Sequence, residues 1–124
     1  MPIVLIAVGG AAGAVARYLV DTTISQRWPS AFPWGTLAVN LSGSLVLGVL
    51  FALTVERGVL PASSRAPVMI GFIGAYTTFS TFMLESWRLV EDGAVGLAVA
   101  NIVGSCLLGL VAVFIGVAIG RGIA

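Results

Sequence analysis

Four long apolar runs set the terms for everything else in this 124-residue chain. Residues 34–55 and 94–120 carry no charged side chain, residues 2–20 carry only Arg17, and residues 67–90 carry only Glu85 and Arg88. A bilayer core about 30 Å thick is crossed by about 20 apolar residues in a helix. The second run, 22 residues, reaches about 33 Å, and the fourth, 27 residues, about 40 Å, so the fourth must tilt or protrude. Four spans use about 80 positions, which leaves no room for a soluble domain. The connections are short, with DTTISQRWPSAFP from Asp21 to Pro33 and ERGVLPASSRA from Glu56 to Ala66 both polar and proline-bearing, and Glu91-Asp92-Gly93 a tight turn. Short connections set successive helices antiparallel and adjacent. The expected fold is therefore an all-α membrane protein, one four-span domain over residues 1–124 with spans at 2–20, 34–55, 67–90 and 94–120. Trp28 and Trp34 fall where interfacial aromatics sit. Ala14-Val15-Ala16 resembles a signal cleavage site, but no Arg or Lys precedes Arg17, so retention of the first span is expected.

Charged residues make up 9% of the chain, against about 25% in ordinary soluble domains. The six basic residues are all arginine and the net charge is +1, without the basic stripe that nucleic acid requires. Lys and His are absent, which removes a His general base, a Ser-His-Asp triad, a His metal ligand and a Schiff-base lysine. The single Cys106 permits no intrachain disulfide. An enzyme is the weakest class.

Orientation follows the Lys/Arg bias of short loops. Arg17, Arg27 and Arg88 flank one face and Arg57, Arg65 and Arg121 the other, so no bias exists and insertion in both orientations is expected. Pairing the two orientations gives an antiparallel homodimer with its axis in the membrane plane. The chain also holds small residues at four-residue spacing, Gly9/Gly13, Ser44/Gly48, Ser105/Gly109 and Gly116/Gly120, which let helix backbones approach where lipid supplies no hydrophobic drive.

Polar residues inside spans need a partner or a function. Arg17 either snorkels or pairs with Asp21 one turn on; Glu85 can face a polar cavity, pair with an arginine or carry protons; Asn40 serves either as interhelical glue or as a functional amide. The densest anomaly is GFIGAYTTFSTF, Gly71 to Phe82. Two glycines lower helix propensity there, and four hydroxyls compete for backbone bonds, so the third helix is expected to break within it. A break at membrane depth survives only in protein or beside a cavity, where freed carbonyls can hold a cation. Phe79 and Phe82 share a helix face. Their electropositive ring edges, with Ser, Thr and Asn donors, can stabilise a small anion without a fixed positive charge that would hinder its release.

These motifs resemble the Fluc/CrcB family of fluoride channels: GGAAGAVARY (Gly9 to Tyr18), WGTLAVNLSG (Trp34 to Gly43), GFIGAYTTFSTFMLE (Gly71 to Glu85) and the fourth span around Gly104-Ser105. The resemblance implies a dual-topology antiparallel homodimer in a bacterial inner membrane, two narrow fluoride pores and a structural sodium ion at the centre. It implies pore roles for Asn40, Phe79, Phe82, Ser80, Thr81 and Ser105, places Arg17 at the pore entrance, and assigns sodium to the carbonyls of Gly74 and Thr77. Ala75 and Tyr76 depart from the family pattern, and Glu85, Tyr76 and Asn101 receive no role. Two other readings compete: a small proton-coupled drug exporter, which must use Glu85 because no Glu lies in the first span, and an assembly subunit without transport, which leaves the TTFSTF cluster unexplained.

Overall fold

The computed structural model describes residues 2–123 and is all-helical; Met1 and Ala124, the ends of the expected domain, lie outside the described residues. Helix α1 covers Pro2–Arg27, α2 covers Trp34–Glu56, α3 covers residues 62–76, α4 covers Ser80–Glu91 and α5 covers Val95–Gly122. With α3 and α4 taken together as Ala62–Glu91, four segments are long and apolar enough to cross a membrane. The outward side chains suit lipid: Leu110 and Phe114 on α5 are 70% and 73% exposed.

Two helix ends run further than the sequence suggested. Asp21 to Arg27, expected as connection, continues α1 as helix, because the stretch holds no Gly or Pro and Ser25 donates back to Asp21 one turn earlier. The helix stops where Pro29 disfavours helical geometry at the residue before it. Similarly α3 opens at Ala62 rather than at Pro67. Its turns over Arg65–Ile73 are widened to i→i+5 bonding, in a stretch where the Pro67 ring excludes an ordinary i→i+4 bond. The end of α2, Ala52–Glu56, is widened in the same way, and the Arg57 N–H closes it on the Ala52 carbonyl at 2.9 Å.

Packing is dominated by two helix pairs, α2 against α5 and α1 against α3. Glycine makes both possible. A Cβ on Gly116 would run into the Leu45 carbonyl, and one on Gly48 would meet the Val113 carbonyl, so α2 and α5 touch backbone to backbone. Gly9 and Gly13 meet the carbonyls of Pro67 and Phe72 on α3 in the same manner. Not every small-residue pair works this way, since Gly109 faces open space. Close approach maximises dispersion contacts, which are the available adhesive in lipid.

One end of the α2–α5 pair is also clamped by charge. Arg57 Nη1 donates to the Gly120 carbonyl at 3.0 Å, and the Arg121 guanidinium grips both carboxylate oxygens of Glu56 at 2.8 and 2.7 Å. Arg17 behaves differently from its expected place at a span end. It lies ten residues inside α1, forms no ion pair with Asp21, and donates from Nε to the Ala75 carbonyl at 3.2 Å. Thus Arg17 leaves the loop tally, which becomes two arginines against three.

Replacing Gly116 by Val is expected to destabilise the fold by about 1–3 kcal/mol through overpacking of the α2–α5 contact. Gly96→Ala, at a helical glycine with nothing within 4 Å, is expected to cost no stability and to add up to about 1 kcal/mol. Thermal unfolding in detergent checks both.

Candidate functional site

The third span breaks, but not at its glycines. Gly71 and Gly74 stay helical; Gly71 is held there because its missing side chain admits the Ile6 carbonyl of α1. The chain turns extended at Thr77 (φ −85°, ψ 158°) and resumes as α4 at Ser80. Hydroxyls organise the turn. Thr77 Oγ1 donates to the Ile73 carbonyl at 3.0 Å, and Thr78 Oγ1 accepts the Thr81 N–H at 3.3 Å, capping α4. Thr78 Oγ1 in turn donates to Thr81 Oγ1 at 3.1 Å.

A single side chain from α2 secures the break. Asn40 Oδ1 accepts the Thr78 N–H at 2.8 Å, and Asn40 Nδ2 donates to the Thr78 carbonyl at 3.0 Å. This two-point bond mimics a strand pairing and satisfies both backbone groups of one non-helical residue. Asn40 is thus interhelical glue, and its amide keeps one N–H beyond the bond to Thr78.

Backbone carbonyls are released by the same arrangement. In an unbroken helix the Gly74 carbonyl would take the Thr78 N–H and the Thr77 carbonyl would take the Thr81 N–H. Those donors go to Asn40 and to the Thr78 hydroxyl instead. The two carbonyls are hard oxygen ligands of the kind that suits an alkali cation, so the residues fit the sodium site that the resemblance implied.

Beside the break lies a cavity of about 270 Å³. Asn40, Ser44, Thr77, Thr78, Phe79, Phe82 and Ser105 contribute to its wall, within an otherwise aliphatic lining from α2, α3 and α5. The Phe79 and Phe82 rings meet edge to face, with centroids 6.2 Å apart and planes at 77°. Phe82 is 6% exposed, whereas Phe79 is 72% exposed and is left uncovered within one copy of the chain. The structure thus brings Asn40, Thr77, Phe79, Phe82 and Ser105 to one cavity. Ser80 and Thr81 lie outside its wall on the first turn of α4; Arg17 and Gly74 do not line it either, Arg17 being bonded to the Ala75 carbonyl and Gly74 lying in the last turn before the break. Ser44 and Thr78 were missed as wall residues; the four-residue spacing from Asn40 to Ser44 was the available signal for the first.

Glu85 forms no ion pair among the described residues, and its Oε1 is buried without a hydrogen-bond partner there. It lines a separate, more polar pocket of about 420 Å³ at the mouth formed by the loop from Trp28 to Trp34, together with Arg88 and Asp92. Tyr76 stacks on Phe72 with centroids 6.0 Å apart, and its hydroxyl meets Ser42 Oγ at 2.9 Å, so the unusual phenol ties α3 to α2. Asn101 is 1% exposed and bridges Ser86 of α4 to Ser105 of α5.

A small multi-pass membrane protein whose broken helix and polar-aromatic cavity are its defining site is, in class, a candidate transport protein. The comparisons make the class specific. The family model described as CrcB-like protein, Camphor Resistance (CrcB), matches residues 4–117. The chain belongs to that CrcB family. It is 45% identical to a Magnetococcus marinus protein named fluoride-specific ion channel FluC, over 98% of each chain. It is 46% identical to the protein of that name from Hahella chejuensis, over 96% of this chain and 94% of the relative. It is 48% identical to fluoride-specific ion channel FluC 1 of Symbiobacterium thermophilum, over 96% of this chain and 97% of the relative.

Asn40→Leu removes both hydrogen bonds to Thr78 and leaves its N–H and carbonyl without their partner. The expected cost is about 1–3 kcal/mol for each buried group left unpaired. A lowered unfolding temperature of purified protein checks it; an unchanged or raised one rejects the bracing role.

Proposed function

We propose that this chain is a fluoride-selective channel that lowers cytoplasmic fluoride by passive efflux. The observation that carries the proposal is the near full-length similarity to proteins named fluoride-specific ion channels, at 45–48% identity for those above. The cavity chemistry agrees with it: phenylalanine edges and an amide N–H line the wall, with no Lys or Arg among the lining residues. A small anion loses its water to such a wall without being trapped by a fixed cation. Fluoride crosses membranes as the neutral weak acid and dissociates in the more alkaline cytoplasm; an inside-negative potential then favours exit by about 2.3 kcal/mol per 100 mV. No coupling to ATP or protons is required.

The working unit in this proposal is an antiparallel homodimer of dual topology in a bacterial inner membrane. The exposed Phe79 ring supports it, because an aromatic on the anion path needs a second wall that one copy lacks. The nearly even arginine tally supports insertion both ways round. A sodium ion held at the dimer centre by the Gly74 and Thr77 carbonyls of both copies would neutralise four inward dipoles and fix the two breaks together. Asn40, Phe79 and Phe82 form the anion path, with Ser105 on its wall and Ser80 and Thr81 at the start of α4 beyond it; Arg17, held on the Ala75 carbonyl inside the span rather than at an entrance, adds a positive charge beside the break that raises the local anion concentration.

Purified protein in liposomes, loaded with fluoride and read by a fluoride electrode, is expected to release it passively; silence from a correctly folded dimer rejects the proposal. In the same assay Phe79→Ile and Phe82→Ile are each expected to lower flux by about tenfold or more, since an aliphatic group lacks the positive edge. A reporter at the C-terminus is expected on both sides of the membrane, and its confinement to one side rejects dual topology.

A further inference from the structure

The cavity wall carries several hydroxyls and amides, and an anion can use only those protons that no protein group already holds. Each hydroxyl has one proton. Its whereabouts can be traced where two oxygens lie at hydrogen-bond distance, because one of them must supply a proton between them. Ser86 Oγ stands 2.8 Å from the Phe82 carbonyl, which can only accept, so the Ser86 proton lies on that bond. Ser86 Oγ is then an acceptor for Asn101, and Asn101 must turn its Nδ2 toward it, at 2.9 Å. That orientation leaves Oδ1 of Asn101 facing Ser105 Oγ at 3.2 Å, and Ser105 must donate. The chain of donors runs one way, from Ser105 through Asn101 and Ser86 to the carbonyl of Phe82. Asn101 and Ser86, 1% and 3% exposed, are shielded from water that could supply alternative partners.

The remaining wall can be traced likewise. The Thr77 proton is held by the Ile73 carbonyl and the Thr78 proton by Thr81. Asn40 retains one N–H beyond its bond to Thr78. Ser44, one helical turn further along α2 and in the same wall, makes no side-chain hydrogen bond among the described residues. Two uncommitted donors therefore lie on one face of α2, and the α5 side offers only the lone pairs of Ser105.

We infer that Ser44 is an anion-binding residue of this cavity, working with the second N–H of Asn40, and that Asn101 is a positioning residue that takes Ser105 out of the donor set. The inference rests on the fluoride reading above and goes beyond it, because resemblance assigned the pore to Ser105 and left Ser44 and Asn101 without a role. The division has a mechanistic consequence. Donors on one wall and lone pairs on the other hold the anion against α2 and the phenylalanine edges rather than at the centre of a donor ring. Binding is then one-sided and weak enough for release.

Fluoride flux from liposomes tests it. Ser44→Ala is expected to lower flux by about tenfold, the effect of removing one hydrogen bond to a charged group. Ser105→Ala, at a wall residue that offers lone pairs only, is expected to lower flux several-fold less than Ser44→Ala does, because no hydrogen bond to the anion is lost. Asn101→Leu releases the Ser105 proton, so Ser105→Ala is expected to change flux by a clearly larger factor in that background than in the parent. A purely structural role for Asn101 predicts no such dependence. A loss in Ser105→Ala as large as that in Ser44→Ala, an unchanged Ser44→Ala, or equal effects of Ser105→Ala in both backgrounds overturns the inference while the parent conducts. A parent without flux overturns the fluoride reading and the inference together.

Discussion

The paired hydrogen bonds between Asn40 and Thr78 are the constraint on which the rest of the site depends. A helix interrupted in the middle of a bilayer exposes N–H and carbonyl groups that lipid cannot satisfy, and each left bare costs several kcal/mol. One amide from α2 supplies the matching acceptor and donor for the single residue most affected. With Thr78 secured, its hydroxyl is free to cap α4, and the carbonyls of Gly74 and Thr77 lose their ordinary donors without either event unravelling the span. The break is thereby a built element with fixed geometry.

From that point the cavity follows. The extended turn at Thr77 offsets α4 from α3, which lets α4 lie along α5 while α3 stays against α1. Phe82 is buried by this arrangement and Phe79 is left outside it. Glycines contribute at a distance, since the backbone contacts of α2 with α5 and of α1 with α3 hold rigid the walls between which the break is suspended. In lipid these contacts cannot rely on the hydrophobic effect, so shape carries them.

Much of this was legible in the residues. Apolar run length gave four spans, and hydroxyls crowded between Gly71 and Phe82 gave a broken third helix, because both depend on local composition. The position of the break was less legible: Gly71 and Gly74 looked like the weak points, but Gly71 is engaged by Ile6 of α1, a tertiary contact with no local sign. Arg17 was misplaced for a related reason, as its partner is the Ala75 carbonyl 58 residues away rather than the nearby acid. The link from Asn101 to Ser86 has no periodic signature, since it joins separate helices across the turn at Gly93. The helices run on to Arg27 and back to Ala62, beyond the apolar runs, because polar residues do not stop a helix that emerges from a membrane.

The charge clamp of Arg57 and Arg121 lies at one end of the α2–α5 pair, while the other end of the molecule opens into the wider pocket between the Trp28–Trp34 loop and Arg88. A single copy therefore presents an ion-paired end at one membrane surface and an open, polar pocket at the other. Two copies in opposite orientations would place one ion-paired end and one open end on each side. Such a pair would have no inside or outside of its own, so any direction in what it carried would come from the gradients across the membrane.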